Sequence, residues 1–583
     1  MAAGLFITVT VIPSNFTIDD YNYLVNVIAA RQGHVTLQNT AGLTPSQELL
    51  AFDPVASSRA VTRTPIASAA PPLYGLIAVP FSVFGWRGLV ALNTLGFLGT
   101  VVLVFTYTRR FSGSTATSWL AAAAFGLGGW ALEYALGLWP HMLSVVLCTG
   151  AIVTAGRAIA NGPVAYGAVA GLLVGLATGI RYQNAILIAA LGAGLFFWST
   201  RRVRMVAAFL LAVALPLATS ATINKVRLDS WNPISKGPGY LAPDIGGNRR
   251  SPIGDPARML WGRVVDYTVR PPMQGADFDG WLSYDAATGA HLMDGETIKK
   301  AVLQSAPWAV LAIWMLVAAW APGANDPRRR QLRFLSLIVA FVLATFSIAG
   351  PSRDDSLAYN QRYLLELLPI LAIAFAWRLD GGFLSRRAIV IGFASAVAIA
   401  GAGLVATAVP TLGGGSNVAY TRVLWVMKAP LVLTTLLLAT TWLGRRRLRA
   451  APIASALVGA SLGWGLAIHV GQDVIASQMR RLSSLERSKE LGRVLPARSA
   501  VVAYWGMGTA AAPLLFDRDI VVADPRPDHG RTSTAIVREL LARRRVFVIG
   551  AGLPPEMLRV ITDAFIVTEP TTALQIVEIV AAR

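Results

Sequence analysis

Cysteine is all but missing. Cys148 is the single one among 583 residues, so no intrachain disulfide can form, and a lone thiol inside an apolar run reads as a packing residue. Charge is scarce as well: only 14% of the residues are charged, against about a quarter in ordinary soluble domains. That argues against a string of soluble domains. Acids are scarcer than bases, 31 against 51, for a net charge of +20. Such a surplus serves nucleic-acid binding in some chains. Here, however, the arginines fall in short clusters between apolar runs, at Arg109-Arg110, Arg201-Arg202, Arg328-Arg329-Arg330 and Arg445-Arg446-Arg447. This is the positive-inside pattern of a membrane protein, so the bilayer is the expected partner and nucleic acid is not. No basic region precedes the first apolar stretch, so no cleaved signal peptide is expected. That stretch, residues 2–13, is short for a span, as though the chain started late or the helix ran on. No soluble-repeat period and no low-complexity segment is present.

Apolar residues are what the chain has in excess: 54% are hydrophobic and the mean hydropathy is +0.55. A bilayer core takes about 20 apolar residues as a helix, with every backbone group bonded inside the segment. Spans are predicted at 1–14, 88–107, 116–134, 141–157, 164–180, 184–199, 204–222, 305–321, 334–350, 363–377, 388–409, 424–443 and 453–470. The expected fold is an all-α polytopic bundle of about thirteen transmembrane helices over residues 1–470, with long outer loops at 15–87 and 223–304. Placing the first loop outside gives the inner loops and their flanks 17 Lys and Arg against two acids, Asp326 and Asp380. The expected location is a plasma (inner) membrane, and the high Ala, Arg and Gly content fits a GC-rich bacterial genome. Segment 65–86 is apolar but holds four prolines. Counting it as a span would invert every later loop, so it is read as an interfacial or re-entrant helix.

Residues 471–583 are read as a small extracytoplasmic α/β domain. Strands are predicted at 500–504, 520–523, 546–549 and 564–567, with a helix over 534–543. Trp505–Ala511 and Asp524 resemble half a dinucleotide fingerprint, but the connection is too short for a full crossover and no nicotinamide cofactor is expected.

The polar residues that stand out lie on the predicted outer side. Asp19-Asp20-Tyr21 opens the first loop. Two adjacent carboxylates raise one another's pKa, which suits a general base, although such acids also cap helices. Glu133 and His141 flank the short turn after the third span and are candidate ligands for a divalent metal, or a belt residue's polar neighbours around Trp139. Arg181 and Arg362 begin outer ends of spans, against the inside bias. An arginine there makes forked, charge-assisted bonds to a phosphate, while Glu366, one turn from Arg362, offers that residue an internal partner. In the 223–304 loop, Trp231, Tyr240, Trp261, Tyr267, Trp281 and Tyr284 are candidate sugar-facing or belt aromatics.

In this order, Asp19-Asp20-Tyr21, Pro71-Pro72-Leu73-Tyr74, the polar turn after the third span, and Arg362-Tyr363-Leu364-Leu365 with Leu368-Pro369 resemble the GT-C superfamily of membrane glycosyltransferases. Its relatives include the protein O-mannosyltransferases and the aminoarabinose transferase of lipid A. The resemblance covers roughly residues 1–380. It implies transfer of a sugar from a polyprenyl-phosphate donor to a glycan, lipid or protein acceptor of the cell envelope, with inversion. It further implies Asp20 or Asp19 as catalytic base, Arg362 and Arg181 at the donor phosphate, and Glu133, His141, Tyr21 and Tyr363 as polar neighbours. Some relatives carry an acid or lysine just before Pro-Pro-Leu, where Ala69 and Ala70 stand here. His141 occupies the neighbourhood of an aspartate. A transporter or flippase of lipid-linked glycans and a non-catalytic envelope scaffold are the rival classes. A transporter would be expected to carry ionisable groups deep in its spans and two related halves, and neither is evident.

Overall fold

The structure, a computed structural model, describes residues 7–14, 18–36, 70–235, 300–322, 326–349, 360–380, 385–408, 424–443 and 451–503. It also describes most of 261–269 and, in the C-terminal part, 518–522, 544–550, 555–570, 574–582 and single positions between them. Helix α1 (Ile18–Arg31) is followed by α2 (Leu73–Ser82), α3 (Gly85–Ser112), α4 (Thr115–Gly126), α5 (Ala131–Ala135), α6 (His141–Ile159), α7 (Val164–Ile180), α8 (Ala185–Trp198) and α9 (Arg202–Leu228). After the short α10 (Val302–Ser305) come α11 (Ala309–Ala318), α12 (Pro327–Ala349), α13 (Leu368–Leu379), α14 (Arg386–Ala408), α15 (Ala429–Leu443) and α16 (Ala451–Ile468). A π-helical turn, His469–Val474, leads without a break into α17 (Ile475–Val494).

Seven of the described helices are long and apolar enough to cross a membrane, and four shorter apolar ones lie among them. The spans predicted at 88–107, 141–157, 164–180, 204–222 and 388–409 each fall on one helix, whereas 305–321 and 363–377 each run from a short helix into another of ten and twelve residues, α11 and α13. The predicted span 116–134 is also divided: it is α4 and α5 with a break at Leu127–Trp130. Gly128 gives the reason. The Trp308 indole donates to its carbonyl at 2.7 Å, satisfying a group the broken helix would leave bare. A Cβ at Gly128 would meet Leu462 and that same indole. The start of the span predicted at 1–14 lies outside the described residues.

Helix pairs α3 and α6, α6 and α7, α7 and α9, α11 and α13, and α14 and α16 pack side by side. Small residues permit it. At Gly392 and Gly459 an added Cβ would strike the backbone of the facing helix, at Ala456 and Ile389. Bare backbones in contact are the usual way for apolar helices to associate where lipid removes any hydrophobic drive. Cys148 is buried in the same core and forms no disulfide, as a packing residue would.

The ten residues of α2 are about half of what a bilayer core needs. The helix is pinned at its start: Asn26 donates to the carbonyls of Ala70 (3.2 Å) and Pro71 (3.0 Å), and Arg227 donates to Ala70 (2.9 Å).

The C-terminal part contains a five-stranded sheet of order β2-β1-β3-β5-β4, with β1 (Ala500–Ala503), β2 (Asp519–Val522), β3 (Val546–Ile549), β4 (Phe565–Val567) and β5 (Ile576–Ala582). Helix α18 (Pro555–Ala564) precedes β4. Strand β1 is parallel to β2 and β3, while β5 is antiparallel to β3 and β4. The four predicted strands are present, and β5 is additional. Residues 505–511 and Asp524, set aside above as a fingerprint, lie outside the described residues, as do Tyr240, Trp281 and Tyr284. Alternation along β1 splits its side chains between two cores. Ala500 and Val502 join Val537, Leu540 and Ile561. Val501 and Ala503 belong to an apolar cluster that runs on to Leu24, Ile28, Leu73 and Tyr74. The sheet is thereby joined to the end of the bundle that carries α1 and α2.

Candidate active site

Asp20 stands in the first turn of α1 and is fully buried. Its charge acts on Arg481 of α17 and on Tyr74 of α2. Burial pushes the Tyr74 phenol well up from its ordinary value, with Tyr23 and then Asp20 adding to the effect. The Tyr74 hydroxyl donates to the Leu138 carbonyl (2.8 Å), and its ring meets Tyr23 edge-on at 5.3 Å. Arg481 donates to the Ser14 carbonyl at 2.8 Å and lies against Gly137, where a Cβ would sit 3.0 Å from its guanidinium. The side chains of Asp19 and Tyr21 lie outside the described ones.

The turn from Tyr134 to His141 forms the floor. Asn93 of α3 staples it: its amide donates to the carbonyls of Tyr134 and Gly137 and accepts from the Met142 amide at 2.8 Å. His141 is buried, stacked on Tyr134 (5.0 Å) and tilted against Trp139 (4.9 Å), and neither ring nitrogen has a hydrogen-bond partner among the described residues. Nearby, Arg181 pairs with Glu366. Ser144 also donates to Glu366 (3.1 Å), and Asn184 donates to Ser144 (2.7 Å). Glu366 is thus the partner of Arg181, 185 residues away, rather than of Arg362 one turn away. Arg362 is half-buried. Its guanidinium donates to the Tyr363 hydroxyl at 2.9 Å and lies 4.9 Å from that ring's centre. Arg181 reaches the Arg362 carbonyl at 3.4 Å.

A further cluster was not foreseen from the sequence. Asn360 donates to Glu133 and, at 2.8 Å, to Asp473, and accepts from Ser305 at 2.6 Å. The Tyr134 hydroxyl donates to the Asn360 carbonyl at 3.0 Å. Asp473 is paired with Lys300 and with His469 (2.9 Å), and the other His469 nitrogen meets the Ser305 carbonyl at 2.9 Å. The four-residue spacing of His469 and Asp473 at the end of a span was the one signal available.

The fold therefore brings Arg181, Arg362, Tyr363, His141 and Glu133 to one polar region, and ties Asp20 to the same turn through Arg481 and Gly137. Among the described residues, no group of three or more His, Cys, Asp or Glu is placed to hold a metal ion. Glu133 accepts from Asn360, and His141 lies in a cluster of three rings with Tyr134 and Trp139. Glu133 and His141 by themselves make no metal site among the described residues.

No family model and no curated protein sequence matches this chain. Among solved structures it is similar to the crystal structure of ArnT from Cupriavidus metallidurans bound to undecaprenyl phosphate. The TM-score is 0.53 at 15% identity, covering 99% of this chain and 96% of that one. The chain has the GT-C fold. Weaker likenesses are to the archaeal oligosaccharyltransferase AglB from Archaeoglobus fulgidus in complex with an inhibitory peptide and a dolichol-phosphate (TM-score 0.45, 12% identity, 92% of this chain and 66% of that one). Another is to the arabinosyltransferase EmbB from Mycobacterium smegmatis (TM-score 0.43, 14% identity, 88% and 42%). On the GT-C scaffold of this chain, the acidic first helix, the short α2 and the Arg-Tyr segment before α13 are contiguous with one another through the turn at Tyr134–His141.

Proposed function

We propose that this chain is a membrane glycosyltransferase that moves a sugar from a polyprenyl-phosphate donor to a glycan, lipid or protein acceptor of the cell envelope. The observation that carries the reading is the pair Arg181 and Arg362 at neighbouring helix ends. Glu366 pairs with the first, and the second holds its guanidinium against the Tyr363 hydroxyl and ring. A cation at that depth suits a lipid phosphate. The full-length likeness to ArnT, solved with undecaprenyl phosphate, supports the same ligand class.

In the proposed reaction, Asp20 or its neighbour Asp19 takes the proton of an acceptor hydroxyl. The freed oxygen pair forms the new bond to the anomeric carbon as the carbon–oxygen bond to phosphate breaks. Polyprenyl phosphate leaves with its added charge held by Arg362, an electrostatic stabilisation aimed at the transition state. A single in-line displacement inverts the anomeric centre. The low dielectric around Asp20 strengthens its coupling to charges nearby. Arg181, already paired, shapes the Arg362 backbone. We place this region and the C-terminal sheet on the extracytoplasmic face, because the arginine clusters gather at the alternate helix ends.

The test is transfer by purified protein in lipid, with a panel of radiolabelled polyprenyl-phosphate sugars and an envelope extract as acceptor. Label is expected to move from one donor, and to stop in Asp19→Asn/Asp20→Asn. Full activity in that variant overturns the choice of base. Absence of transfer from every donor by folded, lipid-binding protein overturns the enzyme reading in favour of a transporter.

A further inference from the structure

Asn360 is held unusually completely for a residue in a connection between helices. Its amide nitrogen serves two carboxylates, those of Glu133 and Asp473. Its amide oxygen accepts from Ser305, and its backbone carbonyl accepts from Tyr134. These partners come from three separate parts of the chain: α5, which holds both Glu133 and Tyr134, α10 and the π turn. Asn360, Glu133, Asp473, Lys300, His469 and Ser305 are all buried. Buried polar groups of this kind hold one geometry when every member is satisfied.

Asp473 is the hub. One of its oxygens meets Lys300, and the other meets both Asn360 and His469. Lys300 matters for a second reason. Asp473 and Arg362 both act on the Tyr134 hydroxyl, so a carboxylate here without a counter-charge would oppose a phosphate at Arg362, and the ion pair offsets that charge. Two residues after Asn360, the chain enters the short 3-10 helix that opens with Arg362. Whatever fixes Asn360 fixes where that helix starts.

We propose that Asp473, neutralised by Lys300, is a positioning residue that sets Arg362 for the donor's phosphate by clamping Asn360. The proposal rests on the reading of Arg362 as a phosphate ligand. It makes the helix leading to the C-terminal sheet a part of donor recognition. In this role Asp473 acts through Asn360.

The test uses the full chain in lipid nanodiscs. Removing one member of a buried ion pair alone leaves an uncompensated charge, whereas replacing both by apolar residues of like volume is often tolerated. Lys300→Met/Asp473→Leu is therefore the principal variant, and Asn360→Ala, which leaves the ion pair in place, is the second. Both are expected to raise the donor KM by about 10- to 100-fold, the cost of misplacing a binding group by about an ångström. The acceptor KM is expected to stay as in the parent, and the rise in Tm on adding undecaprenyl phosphate should shrink in parallel. An unchanged donor KM in the folded double variant overturns the proposal. If the double variant does not fold, an unchanged KM in Asn360→Ala does so. Arg362→Ala separates the two ideas. If it leaves the donor KM alone while Asn360→Ala raises it, the phosphate assignment has failed and the clamp acts on another group.

Discussion

Arg181 and Glu366 form an ion pair in which the two side chains are only 3% and 6% exposed. Pairs this deep are expensive to break from one side, because the remaining charge cannot be rehydrated. Glu366→Gln should cost about 3–5 kcal/mol of stability, seen as a lower Tm in detergent. Arg181→Met/Glu366→Leu should recover most of it while transfer stays low. A Glu366→Gln protein as stable as its parent would mean that water reaches the pair.

Arg362 presents its guanidinium against the Tyr363 ring. A lysine keeps the charge but not the planar fork. Arg362→Lys is expected to lose about 10- to 100-fold in kcat/KM for the donor, the worth of a charge-assisted hydrogen bond, and Arg362→Ala should lose more. Tyr363→Phe, which frees the guanidinium from the hydroxyl, should have the smaller effect. Equal activity of the arginine and lysine forms in a donor titration would point to a mere point charge at this place.

In the C-terminal sheet, Arg545 makes two 2.7 Å bonds to the Glu578 carboxylate, between the start of β3 and β5. Those hydrogen bonds hold the carboxyl below its ordinary value, with the coulombic attraction of the same residue adding to them. A depressed acid contributes stability that is present above its unfolded pKa and lost as pH falls through the folded one. Glu578→Gln should thus be less stable than the parent at neutral pH and match it below the ordinary glutamate range of about 4. Because the pair is largely solvated, the difference will be small. Parallel thermal melts from neutral to acid pH check it, and a gap that stays constant over that range would refute the assignment.

Helices α14 and α16 touch through bare backbone at Gly392 and Gly459. Gly459→Val should force them apart at a cost of about 1–3 kcal/mol, visible as a drop in Tm, with Gly392→Val behaving alike. Gly401, whose Cβ would meet nothing, serves as control: Gly401→Ala should leave Tm unchanged. A fall as large in the control as at Gly459 would sink the idea.

Much of the bundle was readable because lipid demands long apolar helices and the demand leaves a mark on every residue of a span. The break in the third predicted span was not readable, since it depends on Trp308, 180 residues away from Gly128. Four strands were legible as β-branched runs, whereas β5, Ile576–Ala582, carries a Glu and two alanines that weaken the signal. The candidate site divides in the same way. Arg181 and Arg362 drew notice as charges on the wrong side of a charge rule. Lys300, Asn360 and Asp473 did not, because they meet across 173 and 113 residues and no local spacing announces them.

From Ala451 to Val494 the chain continues as one helical rod of 44 residues. At about 1.5 Å per residue that is roughly 66 Å, twice the roughly 30 Å of a hydrocarbon core. The rod is a lever with its fulcrum in the bundle and the sheet as its load. Transmembrane helices tilt over tens of degrees, so a change of about 10° would swing the far end by about 10 Å. His469, Asp473, Gln478 and Arg481 lie along the middle of this lever, where they grip Ser305, Asn360, the Ile12 amide and the Ser14 carbonyl. These contacts fasten the helix that ends at the C-terminal sheet, along its middle, to the elements that carry Asp20 and Arg362.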